Sequence, residues 1–98
     1  MKITIKDREI ELRYTVRSMM IYENIMGKTF SPDGLSEIII YFYSTILASS
    51  KDTSISYDDF IDWFDQNPEA LNDFSDWLNS NVKVIGDIRK KPKLPKQK

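Results

Sequence analysis

The sequence predicts a mainly helical domain that begins with a β-hairpin. Two observations support this fold class. Apolar and polar residues alternate along the first dozen residues, and apolar residues then recur every three or four positions between helix-capping residues. The 98 residues are enough for one domain and too few for two. We therefore expect a single helical domain over residues 1–86 and a flexible basic tail over residues 87–98.

The hairpin is predicted over about residues 2–13. Residues 2–6 and 9–13 each alternate, which places four apolar side chains on one face: Ile3, Ile5, Ile10 and Leu12. Asp7 and Arg8 lie between the two runs and suit a tight turn poorly, because Arg disfavours positive φ. A lone hairpin is marginally stable in water, so we expect its apolar face to rest on a helix.

The first two helices are indicated by their capping residues. Thr15 can cap a helix over about 16–26 that ends at Gly27, and Ser31 with Pro32 can begin a second helix over about 32–49. The second helix is apolar around most of its circumference. Its narrow polar stripe comprises Glu37, Tyr41, Ser44 and Thr45. So wide an apolar belt favours a central helix, or one that also contacts another chain.

Two more helices are predicted in the second half of the chain. Ser56 and Asp59 form a capping box that begins a helix over about 57–66. The run 67–69, Asn-Pro-Glu, then signals a fourth helix over about 68–80. From Arg89 onward, Lys and Pro dominate, which is typical of a flexible charged segment.

The formal net charge of −1 conceals a strong asymmetry. Residues 52–76 contain eight acidic and no basic residues, whereas residues 87–98 contain five Lys and one Arg against one Asp. Acidic helix faces are most often simply solvated. The same excess charge can also form a docking surface for a basic partner, or for the chain's own tail.

The composition argues against catalysis and against a metal site. The chain has no Cys and no His, so it lacks thiolate ligands, the usual nucleophile–base pairs and histidine general bases. Within residues 52–63, the run 54–60 resembles the end of a calcium-binding EF-hand loop. That alignment places Ala48 at the first ligand position and Thr53 at the turn glycine, so calcium is not expected. We predict no catalytic residues, no cofactor and no metal.

Binding of a partner is the function that these features favour. The predicted contact surface consists of five aromatic residues: Tyr41, Tyr43, Phe60, Trp63 and Phe64. Trp63 lies at the edge of the apolar face of its helix, where a tryptophan is either a core-rim residue or an interface anchor. Trp77 is expected in the core.

No membrane segment is expected. The longest apolar run, residues 38–43, is far shorter than the roughly 20 residues that cross a bilayer. The first residues carry no apolar stretch of signal-peptide length, so we expect a cytoplasmic location.

Five short segments together resemble the tail assembly chaperones of long-tailed bacteriophages and prophages. In order, they span residues 1–6, 9–17, 20–30, 60–63 and 67–71. The resemblance implies a small, mainly helical protein that forms homo-oligomers, binds the tape measure protein, keeps it soluble and recruits tail tube subunits. It also implies absence from the mature virion.

The alternative is a small nucleic-acid-binding regulator of phage or host origin. Its basic residues would be those of the tail, which has no aromatic side chain to stack on bases. Nucleic acid is therefore the less favoured partner.

Overall fold

The protein is mainly helical, with an N-terminal antiparallel hairpin, as the sequence predicted. The computed structural model describes residues 1–50 and 55–93, with side chains through residue 81. Its elements in chain order are β1 (Lys2–Ile5), β2 (Arg8–Glu11), α1 (Val16–Met26), α2 (Gly34–Ser49), α3 (Tyr57–Gln66) and α4 (Ala70–Lys93).

The hairpin is joined by a two-residue turn at Lys6 and Asp7. Both residues have positive φ, 52° and 61°, as in a type I′ turn. Ile3 pairs with Ile10, and Arg8 belongs to β2. The expected placement of Asp7 and Arg8 between the strands was thus wrong by one residue. The predicted apolar face is confirmed, since its Ile and Leu side chains are buried.

Local capping chemistry sets the bounds of α1 and α3 as predicted. The backbone N–H of Ser18 donates to the Thr15 hydroxyl at 3.0 Å, and the Thr15 N–H donates to the Ser18 hydroxyl at 3.4 Å. Gly27 ends α1 in the left-handed conformation, with φ 70°. Ser56 and Asp59 form the same reciprocal box at the start of α3.

The bounds of α2 and α4 differ from the prediction. Helix α2 begins at Gly34 rather than at residue 32. Helix α4 begins at Ala70 because Pro68 and Glu69 form a turn, in which the Ala70 N–H donates to the Asn67 carbonyl at 2.9 Å.

The predicted fourth helix was also too short. Helix α4 continues to Lys93, so residues 87–93 of the predicted flexible tail have helical backbone, and residues 94–98 lie outside the described part. No helix among the described residues is both long and apolar enough to cross a membrane.

The core is organised by two adjacent aromatic residues of α2. The Phe42 ring stacks on Phe74 with ring centroids 4.2 Å apart and an interplanar angle of 4°. It also meets Phe60 of α3 edge-on at 5.2 Å. The Tyr41 ring meets a second set of rings, those of Tyr14, Tyr22, Phe30 and Phe74. Adjacent residues of a helix point about 100° apart, so Tyr41 and Phe42 contact two different sides of the core.

Three of the four residues in the predicted polar stripe of α2 are fully buried: Tyr41, Ser44 and Thr45. The Ser44 hydroxyl donates to the Ile40 carbonyl at 2.8 Å and the Thr45 hydroxyl to the Tyr41 carbonyl at 2.9 Å. The Tyr41 and Ser18 hydroxyls share a hydrogen bond of 2.8 Å. Hydroxyls that bond the carbonyl one turn earlier can be buried at little cost. Helix α2 is therefore central, with α1, β2 and α4 packed against it.

Phe74→Ala should destabilise the fold strongly, because it leaves a cavity beside Phe42. We expect the free energy of unfolding to fall by about 3–5 kcal/mol in urea titrations. Leu35→Ala is the control: Leu35 is 58% exposed, so the change should stay within about 0.5 kcal/mol. Equal losses in the two variants would contradict the assignment of Phe74 to the core.

Asp7→Gly should stabilise the hairpin, because Gly adopts positive φ without a steric cost. The expected gain in the free energy of unfolding is about 0.4–1 kcal/mol, measured by the same titrations. Glu9→Gly, in the exposed middle of β2, is the control and should be destabilising. A loss of stability in Asp7→Gly would show that the turn depends on the Asp side chain.

Candidate partner-binding surface

The five aromatic residues predicted to contact a partner do not form one surface. Tyr41 and Phe60 are both 0% exposed, so their assignment to a contact surface was wrong. Tyr41 lies among the rings of α1, α4 and the α1–α2 loop, and Phe60 packs against Phe42. Neither ring can reach a partner in the folded protein.

Trp63 joins α3 to the hairpin. Its indole N–H donates to the Thr4 carbonyl at 2.7 Å, and its ring meets those of Phe42 and Phe60. The ammonium group of Lys6 adds a second link, 3.1 Å from the Asp59 carboxylate. Of the two interpretations of Trp63, these contacts favour the core-rim residue.

Tyr43 lines a wholly apolar groove of about 320 Å³ on the outer side of the helices. We call it the tyrosine groove and define it by Ile25 of α1, Ile40 and Tyr43 of α2, and Tyr57 of α3. The Tyr43 hydroxyl donates to the Ile55 carbonyl at 2.8 Å, which holds the ring in the groove wall. Ile25 is 48% exposed, so the groove is open to solvent.

Phe64 lines a second groove of about 210 Å³. We call it the acidic groove, because one carboxylate residue stands in its otherwise apolar lining. It is defined by Leu35, Ile39, Phe64, Asp65, Pro68 and Leu71. Thus Tyr43 and Phe64, both predicted contact residues, belong to different grooves.

Two further hollows contain none of the predicted residues. The first, of about 240 Å³, is lined by Val16, Met19, Met20, Glu23, Thr29 and Phe30. The second, of about 590 Å³, is lined by Arg13, Thr15, Arg17 and residues 47–50. The former is mostly apolar, whereas the latter carries two guanidinium groups.

The sequence held a signal for the residues that the prediction missed on α1. Met19, Tyr22 and Met26 lie three or four positions apart and share the inner face. Val16 and Met20 are four positions apart on a different face and are exposed. The second stripe of α1 therefore leaves apolar side chains exposed to solvent.

Helix α3, the connecting turn and the first half of α4 are strongly acidic. Residues 55–81 include seven acidic and no basic residues. Among the described residues, Asp59 is the one of these seven that forms an ion pair, with Lys6. The Lys6 ammonium, followed by the Ser56 backbone N–H, lowers the pKa of the Asp59 carboxyl. The other six carboxylates are exposed along α3, the connecting turn and α4.

A polar cluster around Glu37 fastens the α1–α2 loop. The Glu37 carboxylate accepts hydrogen bonds from Lys28 Nζ at 2.7 Å, the Tyr22 hydroxyl at 2.9 Å and the Asp33 N–H at 3.0 Å. Lys28, then the Asp33 N–H and the Tyr22 hydroxyl, lower the pKa of Glu37. Burial, and secondarily Glu37, raises the pKa of Tyr22 to about 12. All three donors serve to hold the loop.

The described residues contain no group of three or more Asp, Glu, His or Cys side chains arranged to hold a metal ion. Comparison with known proteins found no matching protein-family model, curated protein or solved structure. The surface of the described residues is thus the basis for any functional proposal.

Glu37→Gln should alter the acid stability of the fold. The pKa of Glu37 is lowered from 4.5 in the folded protein, so its carboxylate stabilises the fold above that pH. This stability is lost as the pH falls through the lowered value. Wild type should therefore exceed Glu37→Gln in urea midpoint at neutral pH, by a margin that shrinks below pH 4.5.

Glu9→Gln is the matched control for that experiment. The Glu9 carboxylate is exposed, and its nearest cation is Lys2 at 3.9 Å. The urea midpoint of Glu9→Gln should lie much closer to that of wild type than the midpoint of Glu37→Gln does, because exposed ion pairs contribute little to stability. A margin for Glu37→Gln that is independent of pH would mean that the carboxylate charge does not hold the loop.

Proposed function

We propose that this chain is a non-catalytic binding protein, namely a tail assembly chaperone of a phage or prophage. In this function it binds the tape measure protein, keeps it soluble and helps to recruit tail tube subunits. The observation that carries the proposal is the tyrosine groove, a wholly apolar and exposed depression between three helices.

The groove suits the apolar stripe of a helical partner. An amphipathic helix docks by placing side chains spaced three or four residues apart into such a depression. Tyr43 and Tyr57 supply broad rings at its wall, and aromatic rings are favoured anchors in interfaces. The Tyr43 hydroxyl is already bonded to Ile55, so the wall needs little reorganisation before a partner binds.

The exposed methionine on α1 belongs to a separate hollow, which adds a second apolar surface. Met20 is unbranched and adapts to partners of different shape. That property suits a chaperone, which must cover many segments of a long apolar rod with one surface. Action in the host cytoplasm as a homo-oligomer, and absence from the mature virion, complete the proposal that the sequence resemblance suggested.

The nucleic-acid alternative has less support. Among the described residues, Lys2, Lys6 and Lys28 lie within ion-pair distance of carboxylates. The exposed carboxylates of α3 and α4 would also repel a phosphate backbone.

Co-expression with the neighbouring tape measure gene tests the proposal. We expect wild type to keep the tape measure protein soluble. Ile25→Ser or Tyr57→Ser should weaken its binding by about tenfold, because each removes an apolar wall of the groove. The readout is the soluble fraction of the tape measure protein and its co-purification with the chain.

Leu35→Ser is the matched control, since Leu35 is 58% exposed and lies outside the tyrosine groove. It should bind and solubilise the tape measure protein as wild type does, and melting curves would confirm that all variants fold. A tape measure protein that stays equally insoluble with and without the chain would refute the chaperone function. Sequence-dependent DNA or RNA affinity in a low-salt filter-binding titration would favour the alternative.

A further inference from the structure

We infer that the acidic groove binds the C-terminal segment, residues 82–98, of a second copy of this chain, so that copies join head to tail. This inference concerns a different surface from the tyrosine groove, and it supplies a contact for the homo-oligomer that is part of the proposed function.

The chemistry of the groove selects an amphipathic, basic occupant. Its lining is apolar apart from Asp65, and Leu35 at its edge is 58% exposed. Asp62 lies one helical turn before Asp65 on α3, and Glu69 lies in the turn that follows α3; both are exposed. A segment that combines apolar residues with positive charge would cover the lining and neutralise these carboxylates.

The chain itself contains such a segment. Residues 82–98 hold seven basic residues and one acidic residue, together with the apolar residues Val82, Val84, Ile85, Ile88 and Leu94. Residues 55–81 hold seven acidic and no basic residues, and residues 1–54 hold seven of each sign. The charge excess of one region is therefore matched, almost residue for residue, by the opposite excess of the other.

The segment cannot reach the groove of its own chain. Leu71 lines the groove at the start of α4, and the same helix continues to Lys93. At a rise of 1.5 Å per residue, these two positions are about 33 Å apart. Residues 94–98, even fully extended, span at most about 18 Å. While α4 is helical, the occupant of the groove must come from another molecule.

A contact of this kind is heterologous, because a groove at one end of α4 receives the other end of the partner's α4. A pair of copies joined in this way still has one free groove and one free segment, so assembly can continue into rings or longer chains. The charged part of the contact is screened over about 8–10 Å at physiological salt. Association should therefore weaken as salt is added.

Two charge-reversal variants of the full chain test the inference by sedimentation velocity. Asp65→Lys blocks the groove, and the double variant Lys90→Glu/Lys91→Glu blocks the segment. Each alone should weaken self-association by about tenfold or more, because each replaces attraction by repulsion. Mixed together they should associate again, because one supplies an intact segment and the other an intact groove. Glu9→Lys reverses an exposed charge on the hairpin and should associate as wild type.

Three results would overturn the inference. They are a wild type that stays monomeric at low salt and high concentration, blocked variants that associate as wild type, and blocked variants that do not recover on mixing. Loss of association in Ile25→Ser would instead place the contact between copies at the tyrosine groove. Asp65→Lys should still bind the tape measure protein, and Ile25→Ser should still self-associate, so the two proposals can fail separately.

Discussion

The fold depends on two neighbouring rings at the centre of α2. Phe42 packs against rings of α3 and α4, while Tyr41 packs against α1, the α1–α2 loop and α4. Because the two residues are adjacent in a helix, they cannot move independently. A change in the position of α2 would disturb both sides of the core at once. In so small a domain, where the buried fraction of the surface is modest, this junction supplies much of the packing.

The same geometry explains why apolar surface remains outside. The core residues of α2 cover only part of its circumference, and the domain has too few elements to cover the rest of its apolar surface. Ile39 and Ile40 therefore lie half-buried on its outer flanks. As adjacent residues about 100° apart, they line the acidic groove and the tyrosine groove respectively. The two candidate binding surfaces thus follow from one over-apolar helix.

Local chemistry was predictable from the sequence, and side-chain direction on α2 was not. The caps at Thr15 and Ser56 act within one helical turn, so the bounds of α1 and α3 were confirmed. The turn at Lys6 and Asp7 was placed one residue late, because the alternation of residues 2–6 includes Lys6 in the first strand. The full length of α4 was missed because the basic residues near its end were taken as a sign of flexibility. Residues 82, 85 and 88, all apolar, in fact continue the helical spacing.

In the candidate site, the wide apolar belt of α2 contains no polar residue that distinguishes the buried side of the helix from its exposed side. Ser44 and Thr45 belong to the polar stripe of α2, yet their hydroxyls bond carbonyls of their own helix and are buried. Tyr41 belongs to the same stripe, and it was assigned to the contact surface together with Tyr43. Only tertiary packing separates them, since one ring lies between α1 and α4 and the other lines a groove.

The excess of negative charge around the acidic groove, in contrast, can be read directly from the sequence. Apart from Asp59, the carboxylates of residues 55–81 form no ion pair among the described residues. They repel one another, and salt relieves that repulsion just as a second copy's basic segment would. Added salt should then stabilise the folded monomer while it weakens association, and these opposite effects follow from one uncompensated surface.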